Sequence, residues 1–111
     1  MAIRKIHEVG DPCLTKVCRP VTEFNDRLHE LLDDMADTLE EAGGVGLAAP
    51  QVGIGLRVIA VQRFDLPGEP FGVYVNPEIV RRTGPAVPGP EGCLSVPDRY
   101  GDVARPQQIE I

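Results

Sequence analysis

The stretch that decides the fold is NDRLHELLDDMADTLEEAGG, residues 25–44. Its apolar residues recur at spacings of three and four with acidic residues between them, which predicts an amphipathic α-helix. Asn25 is a good N-cap, and Asp26 places a negative charge where the helix dipole favours one. The pair Gly43-Gly44 ends the pattern. The predicted buried stripe consists of Leu28, Leu31, Leu32, Met35 and Leu39.

The segments on either side of this helix predict short, irregular elements. Residues 1–24 contain several turn signals and are expected to form an arm packed on the body. Residues 107–111 alternate polar and apolar side chains, which predicts a strand with one buried face. The proline-rich residues 84–90 predict a connecting loop. Three further runs rich in β-branched residues predict strands at 58–61, 73–75 and 79–80. The fold class is therefore α+β, with one central amphipathic helix packed against short antiparallel β-sheets.

Composition limits the classes of function. A chain of 111 residues is one modest domain. Eleven Lys plus Arg against seventeen Asp plus Glu give a net charge of −6, which argues against direct binding to nucleic acid or to an anionic membrane. The N-terminus lacks the apolar run of a secretory signal, so a cytoplasmic location is expected. Three cysteines are an odd number, which favours free thiols over a disulfide framework.

Two segments are candidates for chemistry. Residues 44–51 read GVGLAAPQ, where small residues allow a ligand close to the backbone and an amide side chain, Gln51, follows a proline. Residues 91–97 read EGCLSVP and place Cys93 after a glycine that can adopt unusual backbone angles. Taken separately, the first could be a helix stop followed by a turn, and the second could hold a cysteine buried as a small hydrophobic residue.

Together, the two segments resemble the peptide deformylases, metal-dependent hydrolases that remove the formyl group from the initiator methionine of nascent proteins. The resemblance implies that Cys93 is a metal ligand. It implies that the side-chain amide of Gln51 and the backbone N–H of Leu94 stabilise the oxyanion while formate is released. It also implies that Val45 and Gly46 bind the formyl-methionyl peptide. The usual metal of the family is Fe²⁺, with Zn²⁺, Ni²⁺ or Co²⁺ as substitutes.

The resemblance also implies a third motif, His-Glu-x-x-His on a C-terminal helix, which the 111 residues do not contain. The expectation is therefore a single, C-terminally truncated domain, 1–111, that lacks the metal-binding helix, two metal ligands and the catalytic Glu. Such a chain is expected to be inactive alone and could be metal-free. The strand around Ile109 and Ile111 would then have an open edge suited to self-association. Partners implied by the family are ribosome-associated nascent chains.

Alternative metal ligands within the chain are weaker candidates. His29 and Asp33 have i, i+4 spacing, but the helical projection places them on a flank that faces water. A single histidine such as His7 is more often a surface or packing residue. Cys13 and Cys18 lack the second pair that a zinc knuckle needs.

Two other functions remain open. One is a non-catalytic module that keeps the peptide groove, and the other is a chain completed by a partner that carries the missing helix. The charges of Glu91 and Arg105, together with the resemblance to the family, imply a pair that braces the cysteine loop.

Overall fold

One α-helix forms the centre of the molecule. The computed structural model describes residues 2–64 and 71–111, and its helix α1 spans Asp26–Ala42. Asn25 Oδ1 accepts a hydrogen bond from the backbone N–H of Leu28 at 3.1 Å. Gly43 ends the helix at a φ of 68°, in the left-handed region where glycine carries no Cβ penalty. The helix and both of its caps are therefore where the sequence predicted them.

A three-stranded antiparallel sheet packs against this helix. Its strands are β1 (Gly46–Ala48), β2 (Val58–Gln62) and β3 (Phe71–Val75), in the order β1-β2-β3. Val58 and Ala60 of the central strand are buried. The helix buries Leu28, Leu31, Met35 and Leu39, with Leu32 partly buried beside them. The α+β class and the helical stripe are therefore confirmed.

The N-terminal arm is fastened to the helix through polar groups. Asp34 and Thr38 of α1 are buried. Ala2 N–H donates to Asp34 Oδ1 at 2.8 Å, Arg4 Nε donates to Asp34 Oδ2 at 2.9 Å, and Arg4 N–H donates to Thr38 Oγ1 at 2.8 Å. Burial alone would raise the pKa of Asp34, but the hydrogen bonds from Ala2 and Arg4 outweigh burial and leave the pKa lowered. The predicted packing of the arm on the body is confirmed.

The rest of the described chain forms two separate two-stranded ribbons. One pairs β5 with β6 and the other pairs β4 with β7, both antiparallel. The bounds of these strands are Arg81–Thr83 for β4, Val87–Cys93 for β5, Val96–Arg105 for β6 and Gln108–Glu110 for β7.

The prediction of a loop over residues 84–90 was wrong for its second half, which belongs to β5. Pro88 and Pro90 lie opposite Ala104 and Asp102 in the ladder. Because the two prolines are two residues apart, both lack an N–H on the same side of the strand. A strand with one partner leaves one side unpaired, so proline is tolerated there.

Two further strand predictions need correction. Residues 79–80 lie outside the strands, and β4 begins only at Arg81. The final strand exists, but it has no buried face: all three residues of β7 are exposed, and Ile109 is 53% accessible. Alternation predicts a buried face only where another layer covers it, and no described element covers β7 in this way. No helix in the described part of the chain is long and apolar enough to cross a membrane.

Candidate active site

Gln51 lies on a short turn that is fixed on both sides. A 3₁₀ turn, Ala49–Val52, follows β1 directly, and its first and last residues are buried in the core. The turn ends at Gly53, whose φ is 84°. A Cβ at Gly53 would lie 3.0 Å from Nε2 of His7, so both the backbone angle and the neighbouring ring favour glycine there. The side chain of Gln51 is therefore presented from a rigid support.

Cys93 lies at the tip of the β5–β6 ribbon. It pairs with Val96 across a two-residue turn, and the register shifts between Gly92 and Cys93. The shift leaves residues 97–99 of β6 without a partner in the register, and Asp98 among them has a φ of 62°. Irregularities of this kind redirect side chains and often lie next to active sites. Here the irregularity immediately precedes the cysteine, whose side chain is exposed.

The backbone of Gly92 does not adopt the unusual angles that the sequence suggested. Its φ is not positive, so unusual backbone angles are not the reason for glycine at this position. Instead, a Cβ at Gly92 would lie 2.8 Å from Cε1 of Tyr100, its partner across the ribbon. Glycine is needed there because the tyrosine ring crosses close to the backbone.

The two sequence segments meet at the amide of Gln51. Its Oε1 accepts a hydrogen bond from Ala48 N–H at 2.9 Å, which fixes the orientation of the amide. Its Nε2 donates to Ser95 Oγ at 3.0 Å and lies 3.7 Å from Cys93 Sγ, also as donor. The structure therefore brings Gln51 and Cys93 into direct contact. Ser95 is only 3% exposed and was missed as a separate site residue, although it lies within the second motif.

The N-terminal arm joins both segments through its backbone. His7 N–H donates to the carbonyl of Gln51 at 2.7 Å, and Val9 N–H donates to the carbonyl of Ser95 at 2.8 Å. No pattern of side chains could have indicated these contacts, because they use only backbone atoms. The arm thus holds the glutamine turn and the cysteine turn in one arrangement.

The remaining predicted site residues lie beside this contact. Leu94 packs its side chain against the core, and a Cβ at Gly44 would lie 2.8 Å from Leu94 Cδ1. Val45 follows Gly44, and its side chain is 63% exposed. Gly46 begins β1, an edge strand of the three-stranded sheet. The structure gives no contact that joins Val45 or Gly46 directly to Cys93.

The predicted brace of the cysteine loop is present. Arg105 Nε and one of its terminal nitrogens donate to the two carboxylate oxygens of Glu91 at 2.8 and 2.9 Å. The hydrogen bonds from Arg105 lower the pKa of Glu91, and Glu91 in turn raises the pKa of Arg105. Because Glu91 lies opposite Gly101 in the register, the pair crosses the ribbon diagonally. Bidentate geometry of this kind restrains both strands.

Few metal ligands lie near Cys93 in the part of the chain that the structure describes. His29 and Asp33 are exposed on α1, as predicted. Among residues 2–64 and 71–111, the one compact group of three metal-binding side chains does not include Cys93. A catalytic zinc-type centre commonly has three protein ligands. The described residues therefore provide one ligand and a neighbouring amide donor at this site.

The sequence is similar to those of bacterial peptide deformylases along its whole length. It is 47% identical to a peptide deformylase of Caldanaerobacter subterraneus subsp. tengcongensis, covering 100% of this chain and 67% of the relative. It is 49% identical to a peptide deformylase of Agathobacter rectalis, covering 99% of this chain and 66% of the relative. The chain thus spans about two thirds of the length of these curated relatives.

Solved structures give the same result for the fold. A class I type b peptide deformylase from Acinetobacter baumannii superposes with a TM-score of 0.89 at 37% identity, covering 98% of this chain and 74% of that one. The peptide deformylase from Thermotoga maritima gives 0.87 at 36% identity, covering 96% and 70%. The sequence model described as Polypeptide deformylase matches residues 3–111. From this match and these relatives, the chain belongs to the polypeptide deformylase family.

Proposed function

We propose that this chain carries the peptide-binding and cysteine-ligand part of a peptide deformylase. The reaction is hydrolysis of the N-formyl group from the initiator methionine of nascent proteins, with release of formate. The observation that carries the proposal is the contact between Gln51 Nε2 and Cys93 Sγ at 3.7 Å. It places a fixed hydrogen-bond donor beside the one cysteine that the family resemblance assigns to the metal.

In this proposal, Gln51 stabilises negative charge on the formyl oxygen. The hydrogen bond from Ala48 N–H to Oε1 leaves the NH₂ group of the amide facing Cys93. A donor that is already oriented is most effective where charge develops in the transition state. The backbone N–H of Leu94 is the proposed second donor, because the side chain of Leu94 is anchored against the core. Because Gln51 Nε2 already donates to Ser95 Oγ, the proton that faces Cys93 Sγ is the one proposed to bind the formyl oxygen.

The proposed peptide site is the open edge of β1. Its one partner in the sheet is β2, so the opposite edge has no strand beside it within the described residues. An extended peptide can add to such an edge through backbone hydrogen bonds. Gly46 leaves room for close approach of the peptide, since a Cβ there would meet its nearest atom only at 3.9 Å. Val45 provides an exposed apolar side chain for the methionine.

The described residues near Cys93 provide only part of the ligand set that a divalent metal needs. Cys93 offers an exposed thiol, which as a thiolate is a suitable ligand for Fe²⁺, Zn²⁺, Ni²⁺ or Co²⁺. When bound, the metal would supply Lewis acidity and a water of lowered pKa. Fe²⁺ is the metal proposed from the family. The described residues contribute one ligand at this position, so the steps assigned to this chain are substrate binding and stabilisation of charge.

The proposed setting is the cytoplasm, and the proposed partners are formylated nascent chains at the ribosome. We also propose that residues 1–111 act as one domain, because the arm, the helix, the sheet and the ribbon all meet around the Gln51 turn.

A second proposed property is self-association through β7. This strand has one partner, and Ile109 and Ile111 beside its open edge are 53% and 52% exposed. A non-catalytic peptide-binding module would retain the same β1 edge.

The test uses formate release from a formyl-methionyl tripeptide. The chain is assayed alone and fused to the segment that follows the matched region in the Caldanaerobacter relative, both loaded with Fe²⁺ without oxygen. We expect formate from the fusion. Cys93→Ala should abolish it, and Gln51→Ala should lower kcat by about 100-fold or more, since that is the usual loss for one oxyanion donor. Gln108→Ala, on exposed β7, is the matched control and should have wild-type activity.

Two results would contradict the proposal. Equal activity of the Gln51→Ala and Gln108→Ala fusions would remove the assigned role of Gln51. A folded, iron-loaded fusion that binds the peptide but releases no formate would favour the non-catalytic module.

A further inference from the structure

A second group of metal-binding side chains lies in the N-terminal arm, away from Cys93. It consists of His7, Asp11 and Cys13, and one ligand atom from each lies within 4.8 Å of the other two. His7 Nδ1 and Asp11 Oδ2 are 2.6 Å apart. All three side chains are only partly buried, so ions can reach them from solvent. This group takes no part in the function proposed above.

The backbone already holds these three residues close together. Asp11 caps a 3₁₀ turn, Pro12–Leu14, and its Oδ1 accepts from Cys13 N–H at 3.1 Å. Asp11 N–H donates to the carbonyl of Glu8 at 3.1 Å, which closes the loop between His7 and Asp11. The backbone N–H of His7 is bonded to Gln51. Little conformational entropy would therefore be lost on binding an ion.

The distances suit a small tetrahedral ion. Metal bonds of 2.0–2.3 Å in a tetrahedron place neighbouring ligand atoms about 3.3–3.8 Å apart. The 2.6 Å pair would open by about 1 Å, and the widest pair, at most 4.8 Å, would close by no more than about 1.5 Å. Asp11 Oδ1 would keep its hydrogen bond to Cys13 N–H while Oδ2 turned to the ion, an arrangement common around ligating carboxylates.

We propose that His7, Asp11 and Cys13 form a binding site for one divalent cation of the Zn²⁺ class. An imidazole nitrogen, a carboxylate oxygen and a thiolate sulfur are the three ligand types that Zn²⁺ uses in proteins, and water would complete the coordination. Hard cations such as Mg²⁺ and Ca²⁺ prefer all-oxygen sites and would bind poorly. Since His7 N–H donates to the Gln51 carbonyl, the ion would fasten the arm to the glutamine turn.

The charges within the site determine how its affinity should vary with pH. The pKa of Asp11 is lowered to about 2, first by the hydrogen bond from His7 and then by those from Cys13, so this carboxylate is ionised at neutral pH. Burial raises the pKa of the Cys13 thiol, and its hydrogen bond to Asp11 adds to the increase. Binding would therefore release a proton from Cys13, and affinity should increase with pH.

The experiment is a titration with Co²⁺, followed by displacement with Zn²⁺, on the 111-residue chain. It is performed in wild-type protein and in Cys93→Ser, which removes the cysteine of the candidate active site. We expect Cys93→Ser to bind one Co²⁺ with a near-ultraviolet thiolate-to-cobalt absorption band. Adding Cys13→Ser should abolish the band and weaken Zn²⁺ binding more than about tenfold, since even outer-shell changes cost that much. Cys18→Ser, another partly buried free thiol of the arm, is the matched control and should change neither.

The proposal is overturned if the Cys93→Ser protein shows no band, if the band survives Cys13→Ser, or if Cys18→Ser removes it. Far-ultraviolet circular dichroism establishes that each variant is folded. If Cys13→Ser is not folded, Asp11→Asn decides instead: it should weaken Zn²⁺ binding more than about tenfold, and unchanged affinity would count against the site. Because Cys93 is absent from these proteins, the result is independent of deformylase activity.

Discussion

The helical half of the molecule and the C-terminal ribbons are stabilised in different ways. Within the described residues, every buried hydrophobic residue lies between Val21 and Ala60, and Ser95 is the one buried residue of 71–111. The helix and sheet therefore have a core of their own, and the ribbons depend on backbone pairing and a few specific contacts. The candidate active site lies where these two regions meet. Changes on the core side should alter stability, while changes on the ribbon side should alter the geometry of the site.

The largest expected difference in stability between the two regions comes from truncating one large apolar side chain in each. Leu39→Ala, at a residue with 0% exposure, should lower the free energy of unfolding by about 3–4 kcal/mol because it leaves a cavity in the core. Ile109→Ala on β7 deletes the same number of atoms and should change the free energy of unfolding by no more than about 0.5 kcal/mol. Urea denaturation measures both. Equal losses would show that the ribbon belongs to the same packed core.

A second test concerns the polar contact between the arm and the helix. Asp34→Ala should lower the free energy of unfolding by about 2–3 kcal/mol, because Arg4 and the N–H of Ala2 lose a buried acceptor. Asp33→Ala, one residue earlier and exposed, should stay within about 0.5 kcal/mol. Thermal unfolding at low salt compares the two variants. If they match, the hydrogen bonds to Asp34 contribute nothing measurable to the stability of the helical half.

The smallest expected effect on stability comes from the pair of Glu91 and Arg105 in the β5–β6 ribbon. Since the Arg105 hydrogen bonds lower the pKa of Glu91, the pair should be fully formed at and above the ordinary carboxyl range and should be lost as pH falls below it. Arg105→Gln should return the Glu91 titration to the ordinary range, and Arg81→Gln on β4 should leave it unchanged. Carboxyl-carbon NMR follows the titration directly. An unshifted midpoint in Arg105→Gln would mean that Arg105 does not restrain Glu91.

The sequence predicted the structure correctly where the spacing of neighbouring apolar residues determines which of them are buried. The spacing of Leu28, Met35 and Leu39 was enough to place α1 and its buried face, because a helix is built from contacts three and four residues apart. The same reasoning could not predict buried Asp34, whose partners Ala2 and Arg4 are far away along the chain.

The ribbons were harder to predict for the same reason. The prolines of β5 favour a loop when read locally, and they are acceptable because β6 is the one strand paired with β5 in the described part of the chain. The buried face predicted for β7 depended on a covering layer that the local pattern cannot specify. The family resemblance implied that Gln51 and Cys93 serve one site, but their contact was not predicted, because no periodicity connects residues 42 positions apart.

The backbone contacts of the arm have a consequence for the order in which the chain can fold. Val9 bonds to Ser95, so a segment of the arm pairs with a turn that is synthesised much later. Synthesis proceeds from the N-terminus, and contacts between distant positions are entropically costly to form early. The helix and the three-stranded sheet can assemble while the later strands are still being made. The assembly of Gln51, Cys93 and Ser95 must wait for the hairpin, so the chain should acquire its core before its site.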